Sequence, residues 1–89
     1  MAPMTDIPGS DLVARGIADL ERGIESVPSL LVSIGRPRLL RLGITVPEPS
    51  GERFEHRLYE LLTERDEATA HSSYNAWLRR LISFERAAG

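Results

Sequence analysis

Cysteine is absent from the 89 residues. That excludes disulfides and thiolate-held metals, and leaves an apolar core to hold the fold. Lysine and glutamine are absent as well, so all eleven basic residues are Arg. The simplest source is GC-rich coding, because Arg, Ala, Gly and Pro share GC-rich codons. Selection for the bidentate guanidinium fork is the functional alternative. The arginines spread over every expected helix, which favours the first explanation.

Long apolar runs are missing too. The longest uninterrupted ones are three residues, as at Leu30 to Val32, against the ~20 needed to span a bilayer. A strong charge of either sign is also lacking: eleven basic residues against thirteen acidic ones give a net of -2. That balance argues against a general phosphate-backbone binder, but leaves room for a local basic patch. The opening Met-Ala-Pro-Met-Thr-Asp shows no basic segment followed by an apolar one, so a secretory signal is not expected and cytoplasm is the default compartment.

What remains is an ordinary globular composition, 42% hydrophobic and 27% charged. A chain of this length makes one domain and buries only about 60% of its unfolded surface. Residues 1–9 contain two prolines and a glycine without periodicity and read as a flexible lead-in, leaving residues 10–87 as a single helical domain.

Within that domain Val13, Ile17, Leu20, Ile24 and Val27 recur at alternating steps of four and three. This spacing predicts a first helix packed lengthwise on another, capped by Ser10 and running to about Glu25. Arg15-Gly16-Ile17 repeats as Arg22-Gly23-Ile24. Two interior glycines cost about 1 kcal/mol each, which calls for a close neighbour. That neighbour is either a helix of the same chain or the same helix of a second subunit.

Ser26 is placed to cap a second helix, with Pro28 tolerated in its first turn. Gly35-Arg36-Pro37 is expected to break it, since Pro37 lacks an N–H and disfavours helical geometry at Arg36. A short continuation through Leu39, Leu40 and Leu42 then ends at Gly43 in a left-handed cap. Ile44 and Val46 alternate with Thr45 as an extended strip, and the residues from Val46 to Gly51 form a loop. Phe54, Leu58, Leu61 and Leu62 mark a third helix starting after Ser50 or Gly51. The stretch from Asp66 to Ala70 reads as a turn, with Thr69 a candidate cap. A last helix from about Ala70 to Ala87 carries Tyr74, Trp77, Leu78, Leu81, Ile82 and Phe84. At about 100° per residue these six span an arc of about 160°, wider than the usual surface-helix stripe. The fold class is therefore all-α, a compact bundle of four helices with the second broken near Gly35–Pro37.

Chemistry-bearing patterns are sparse. Glu52, His56 and Glu60 share one helix face, but Arg53 and Arg57 lie between them and the face turns away from Phe54, so a solvated, ion-paired face is expected instead of a metal site. His71-Ser72-Ser73 places a base beside hydroxyls along the chain, which is not the spatial geometry of a nucleophile and its base. No phosphate loop, zinc spacing or dinucleotide fingerprint occurs. A domain this small has little room for a pocket of ~300 Å³ or more. Neither a cofactor, a metal, a membrane nor a small-molecule substrate is expected.

Two functions follow. The first is a non-catalytic protein-interaction module, with a homodimer among its forms. Its contact residues are Trp77 and Phe84 at one edge of the apolar arc, with Tyr74 on the same helix and Gly16 and Gly23 on the first. On that reading Gly16→Leu dissociates an assembly and leaves a folded monomer. The alternative is a small nucleic-acid binder using Arg36, Arg38, Arg41, Arg79 and Arg80. It has a helix–break–helix outline, but few side chains suited to reading base edges.

Overall fold

The computed structural model describes residues 7–89, so residues 1–6 of the expected lead-in lie outside the described residues. Four helices occur: α1 (Ser10–Glu21), α2 (Val27–Arg41), α3 (Phe54–Arg65) and α4 (Ala70–Ala88). A 3₁₀ turn at Glu67–Thr69 joins the last two. No strand is present among the described residues, and the all-α class holds.

Helix α1 is shorter than its periodicity predicts. Gly23 takes φ +70, the left-handed geometry that ends helices. The Gly23 N–H bonds to the Leu20 carbonyl at 3.1 Å and the Ile24 N–H to the Asp19 carbonyl at 2.8 Å. Gly23 is therefore a terminator and not an interior glycine, and Ile24 beyond it is exposed. Gly9, not Ser10, occupies the N-cap, and Ser10 is buried as the first helical residue. Ile7 packs on the core.

Ser26 starts α2 as expected. Its hydroxyl accepts from the Ser29 N–H at 3.2 Å while the Ser29 hydroxyl accepts from the Ser26 N–H at 2.8 Å, a reciprocal capping box. The Ser26 hydroxyl also donates to Asp19 at 2.6 Å, locking the α1–α2 turn.

The expected break at Gly35–Pro37 does not occur: α2 runs unbroken through Pro37. An interior proline costs about 3 kcal/mol, yet apolar residues on both sides of it are buried. Leu30, Leu31 and Val32 precede it, and Leu39 follows. Each is worth about 1.5–3 kcal/mol of burial, so packing outweighs the lost hydrogen bond. Small Ser33 and Gly35 give the preceding turn slack, and the Ser33 hydroxyl donates to the Ser29 carbonyl at 2.7 Å. Pro37→Ala is accordingly expected to restore the missing hydrogen bond and stabilise the domain by about 1–2 kcal/mol, after the entropy the proline removes from the unfolded chain is deducted. A lower urea midpoint would contradict the strain assigned to Pro37.

Gly43, with φ +84, ends α2 as expected, and its N–H bonds to Leu40 at 3.1 Å. The strip after it places Val46 in the core and Thr45 in solvent. The turn before α4 also forms, but the cap there is Asp66, which accepts from the Ala68 N–H at 3.1 Å. Thr69 makes no side-chain cap bond.

Helix α2 is the central element. It packs on α1, α3 and α4, whereas α1 and α3 share no contact. Gly35 faces Leu81 and Leu42 faces Gly89, so α2 and α4 advance in the same direction. Arg57 reaches Glu25, and Arg65 borders the same groove as Ser26 and Pro28. Both ends of α3 thus stay near the α1–α2 turn, and α3 crosses that end of the bundle. The core they enclose centres on Val13, Leu31, Leu39, Leu58 and Phe84.

Candidate functional site

Helix α4 fixes the site, because its residues divide by angle. Leu81 and Phe84 point into the core and are buried. Phe84 is fully buried, which removes it from the expected contact surface: it sits in the middle of the inward face, and the exposed edge of the apolar arc is Ile82, 37% accessible. Tyr74 is half-buried and meets Tyr59 of α3 edge-on, ring centroids 5.6 Å apart. Burial, with Glu55 nearby, lifts the Tyr74 phenol above its ordinary value of 10.0.

Gly16 is explained within the chain. A Cβ there would collide with the Pro28 carbonyl and come within 2.7 Å of Val32 Cγ1. Its bare backbone serves the α1–α2 crossing and presents nothing to a partner. Gly23 has open space around it, so no close neighbour accounts for it either. Gly16 is thus accounted for within the chain, whereas Gly23 is exposed.

Trp77 has a different setting. It is half-buried against the core, and the Arg80 guanidinium lies over its ring, 4.9 Å from the centroid. Together they border an open groove of about 340 Å³ between α1, α4 and the start of α2. The groove meets the ~300 Å³ lower bound for ligand pockets that so small a domain was not expected to reach. Arg15 of α1 and Arg65 at the end of α3 line it as well. Neither joins an ion pair; those among the described residues use Arg38, His56 and Arg57. Asp11 and Asp19 line it one turn to either side of Arg15 on α1, and Asp19 already accepts the Ser26 hydroxyl.

Of the five arginines of the expected basic surface, three are engaged within the chain. Arg36 donates through Nε to the Val46 carbonyl at 3.1 Å, pinning the extended strip to α2. Arg38 pairs with Glu85 at 3.4 Å. Arg80 is stacked on Trp77. Arg41 and Arg79 are exposed and have no ion pair among the described residues.

The remaining motifs take structural roles. His56 is exposed and pairs with Glu60 at 3.6 Å, as a solvated face requires. Arg57 gathers Glu25, Glu60 and Glu64 at 2.8, 3.9 and 3.8 Å. The hydrogen bond and charge of Glu25 hold its guanidinium pKa above the usual value. The Ser72 hydroxyl donates to the Thr69 carbonyl at 3.0 Å, and the His71 ring meets Asn75 at 3.3 Å, so histidine and serine turn to different partners. No helix among the described residues is long and apolar enough to cross a membrane.

Arg15 and Arg65 were not legible as site residues. They lie on different helices, fifty residues apart in the chain by their numbers, and only the crossing of α3 over the α1–α2 turn brings them to Trp77. No protein-family model, curated protein or solved structure matches the chain.

Proposed function

We propose that the protein is a non-catalytic interaction module that holds an acidic, partly apolar segment of a partner protein in the Trp77 groove. The observation that carries this reading is the Trp77–Arg80 stack bordering a groove with two further arginines that join no ion pair among the described residues. Tryptophan and arginine are the residues most often found at energetic centres of protein interfaces. Stacking pre-orders the Arg80 side chain, so less entropy is lost when it grips a carboxylate. Arg15 and Arg65 would complete a three-point cationic rim around an apolar floor of Trp77, Val27 and Pro28. Asp11 and Asp19, one turn to either side of Arg15 on α1, interrupt the basic rim and disfavour a continuous phosphate backbone, which favours a protein segment over nucleic acid.

Trp77 is the only tryptophan, so its fluorescence reports on the groove directly. Titration with a short peptide of alternating Glu and Leu is expected to shift and saturate that emission at low salt. The shift should weaken at about 0.5 M salt, where screening shortens to a few ångströms. It should vanish in Arg15→Glu/Arg65→Glu, two exposed positions whose reversal leaves the helical signal intact. An unresponsive Trp77 overturns the reading. A response to an oligonucleotide and not to the peptide would assign the groove to nucleic acid instead.

A further inference from the structure

On the other side of the α1–α2 turn lies a second groove, of about 270 Å³, between α1, the loop before α3 and the start of α3. Its chemistry is opposite to that of the first. Leu20, Ile24 and Phe54 supply apolar surface, and Glu25, Glu48 and Glu52 supply carboxylates. Ile24 is 45% exposed, the most exposed large apolar side chain described. Arg57 is the one basic residue lining the groove, and it is already engaged by Glu25, Glu60 and Glu64. Glu48 and Glu52 join no ion pair among the described residues. The buried Ser29 and Ser33 hydroxyls donate within α2 and its cap, so they ask nothing of a ligand. What the groove offers is apolar surface next to free carboxylates. That combination suits an arginine, whose aliphatic stem packs on carbon while its head pairs with acid.

The same chain carries that feature. Arg79 and Arg86 lie seven residues apart, two turns along the outer side of α4, with Ile82 between them. Both arginines are exposed, neither joins an ion pair among the described residues, and Ile82 is the exposed edge of the apolar arc. We propose that this Arg79–Ile82–Arg86 ridge seats in the Ile24–Glu48–Glu52 groove of a second copy of the chain. Ile82 meets Ile24, and the two guanidinium groups meet Glu48 and Glu52. The contact joins two different patches, so it closes when two copies exchange ridges and propagates head to tail when they do not. This goes beyond the Trp77 reading and uses none of its residues.

Light scattering behind a sizing column tests it, at concentrations up to about 1 mM, the weak end of specific affinity. The mass is expected to rise above the 9.9 kDa monomer with concentration, and to fall back at about 0.5 M salt. Glu48→Arg/Glu52→Arg and Arg79→Glu/Arg86→Glu should each remain monomeric when alone. Mixed one to one, they should associate again, because the first keeps a basic ridge and the second an acidic groove. A wild-type protein that stays monomeric at low salt overturns the proposal. So does association that survives either double reversal. Should a reversal lose its helical signal, Ile82→Asn reads the same contact, and undiminished association in that variant also counts against it.

Discussion

Gly16→Leu is expected to unfold the protein and not to release a folded monomer from an assembly. The added Cβ would run into the Pro28 carbonyl and Val32 Cγ1, and the rest of a leucine side chain would follow into the α1–α2 crossing. Backbone is the obstacle, so a rotamer change does not relieve it. Moving Pro28 disturbs the Ser26–Ser29 capping box that brackets it, and with it the Ser26–Asp19 hydrogen bond. Overpacking of a tight core costs about 1–3 kcal/mol, and more where backbone must shift. A domain of this size holds only about 4–13 kcal/mol in total. We expect about 2–3 kcal/mol lost for Gly16→Ala and more than about 4 kcal/mol for Gly16→Leu. Urea unfolding followed by circular dichroism measures both. An unchanged midpoint for the leucine variant would mean that α1 and α2 do not cross at Gly16.

Phe84→Ala is expected to cost about 3–5 kcal/mol, the usual loss for emptying a fully buried aromatic site. Phe84 has no accessible surface, and Gly9 closes over it so tightly that a Cβ there would be 3.2 Å from Phe84 Cβ. Little can collapse into the vacated space, because Gly9 already has no side chain to contribute. Trp77→Ala removes more atoms but from a site open to the groove on one side, so the loss should be smaller, about 1–3 kcal/mol. The comparison separates core from surface more sharply than either value alone. Equal losses at the two positions would contradict the difference in burial, and a larger loss at Trp77 would place Trp77 and not Phe84 at the centre of the core.

Much of the local structure was readable from spacing and punctuation. The Ser26 cap, the left-handed stop at Gly43, the inward Ile44–Val46 alternation and the apolar stripe of α3 all follow from short-range stereochemistry, and the structure realises each; the stripe of α4 is realised apart from Ile82. Punctuation failed where tertiary packing was stronger. Pro37 reads as a break, yet α2 continues through it and Leu39 on its far side is fully buried. Gly23 reads as one of a pair with Gly16 because both follow an arginine, but one ends its helix and the other permits a crossing. The arginines misled for another reason: a guanidinium reaches far, and a partner such as the Val46 carbonyl or Glu85 is set by where the chain returns.

The sequence by itself determined that the domain is all-α, which residues begin and end most of its helices, and which faces are apolar, because these depend on interactions within a few residues. Only the tertiary structure decided that α2 is continuous and central, that Phe84 is core while Ile82 is surface, and that Arg15, Arg65, Trp77 and Arg80 share one groove. Those outcomes depend on which faces meet, and several arrangements of the same apolar stripes satisfy the same local rules. The choice among them is made by close fits such as Gly16 on Pro28 and Gly9 on Phe84, whose partners lie twelve and seventy-five residues away along the chain by their numbers.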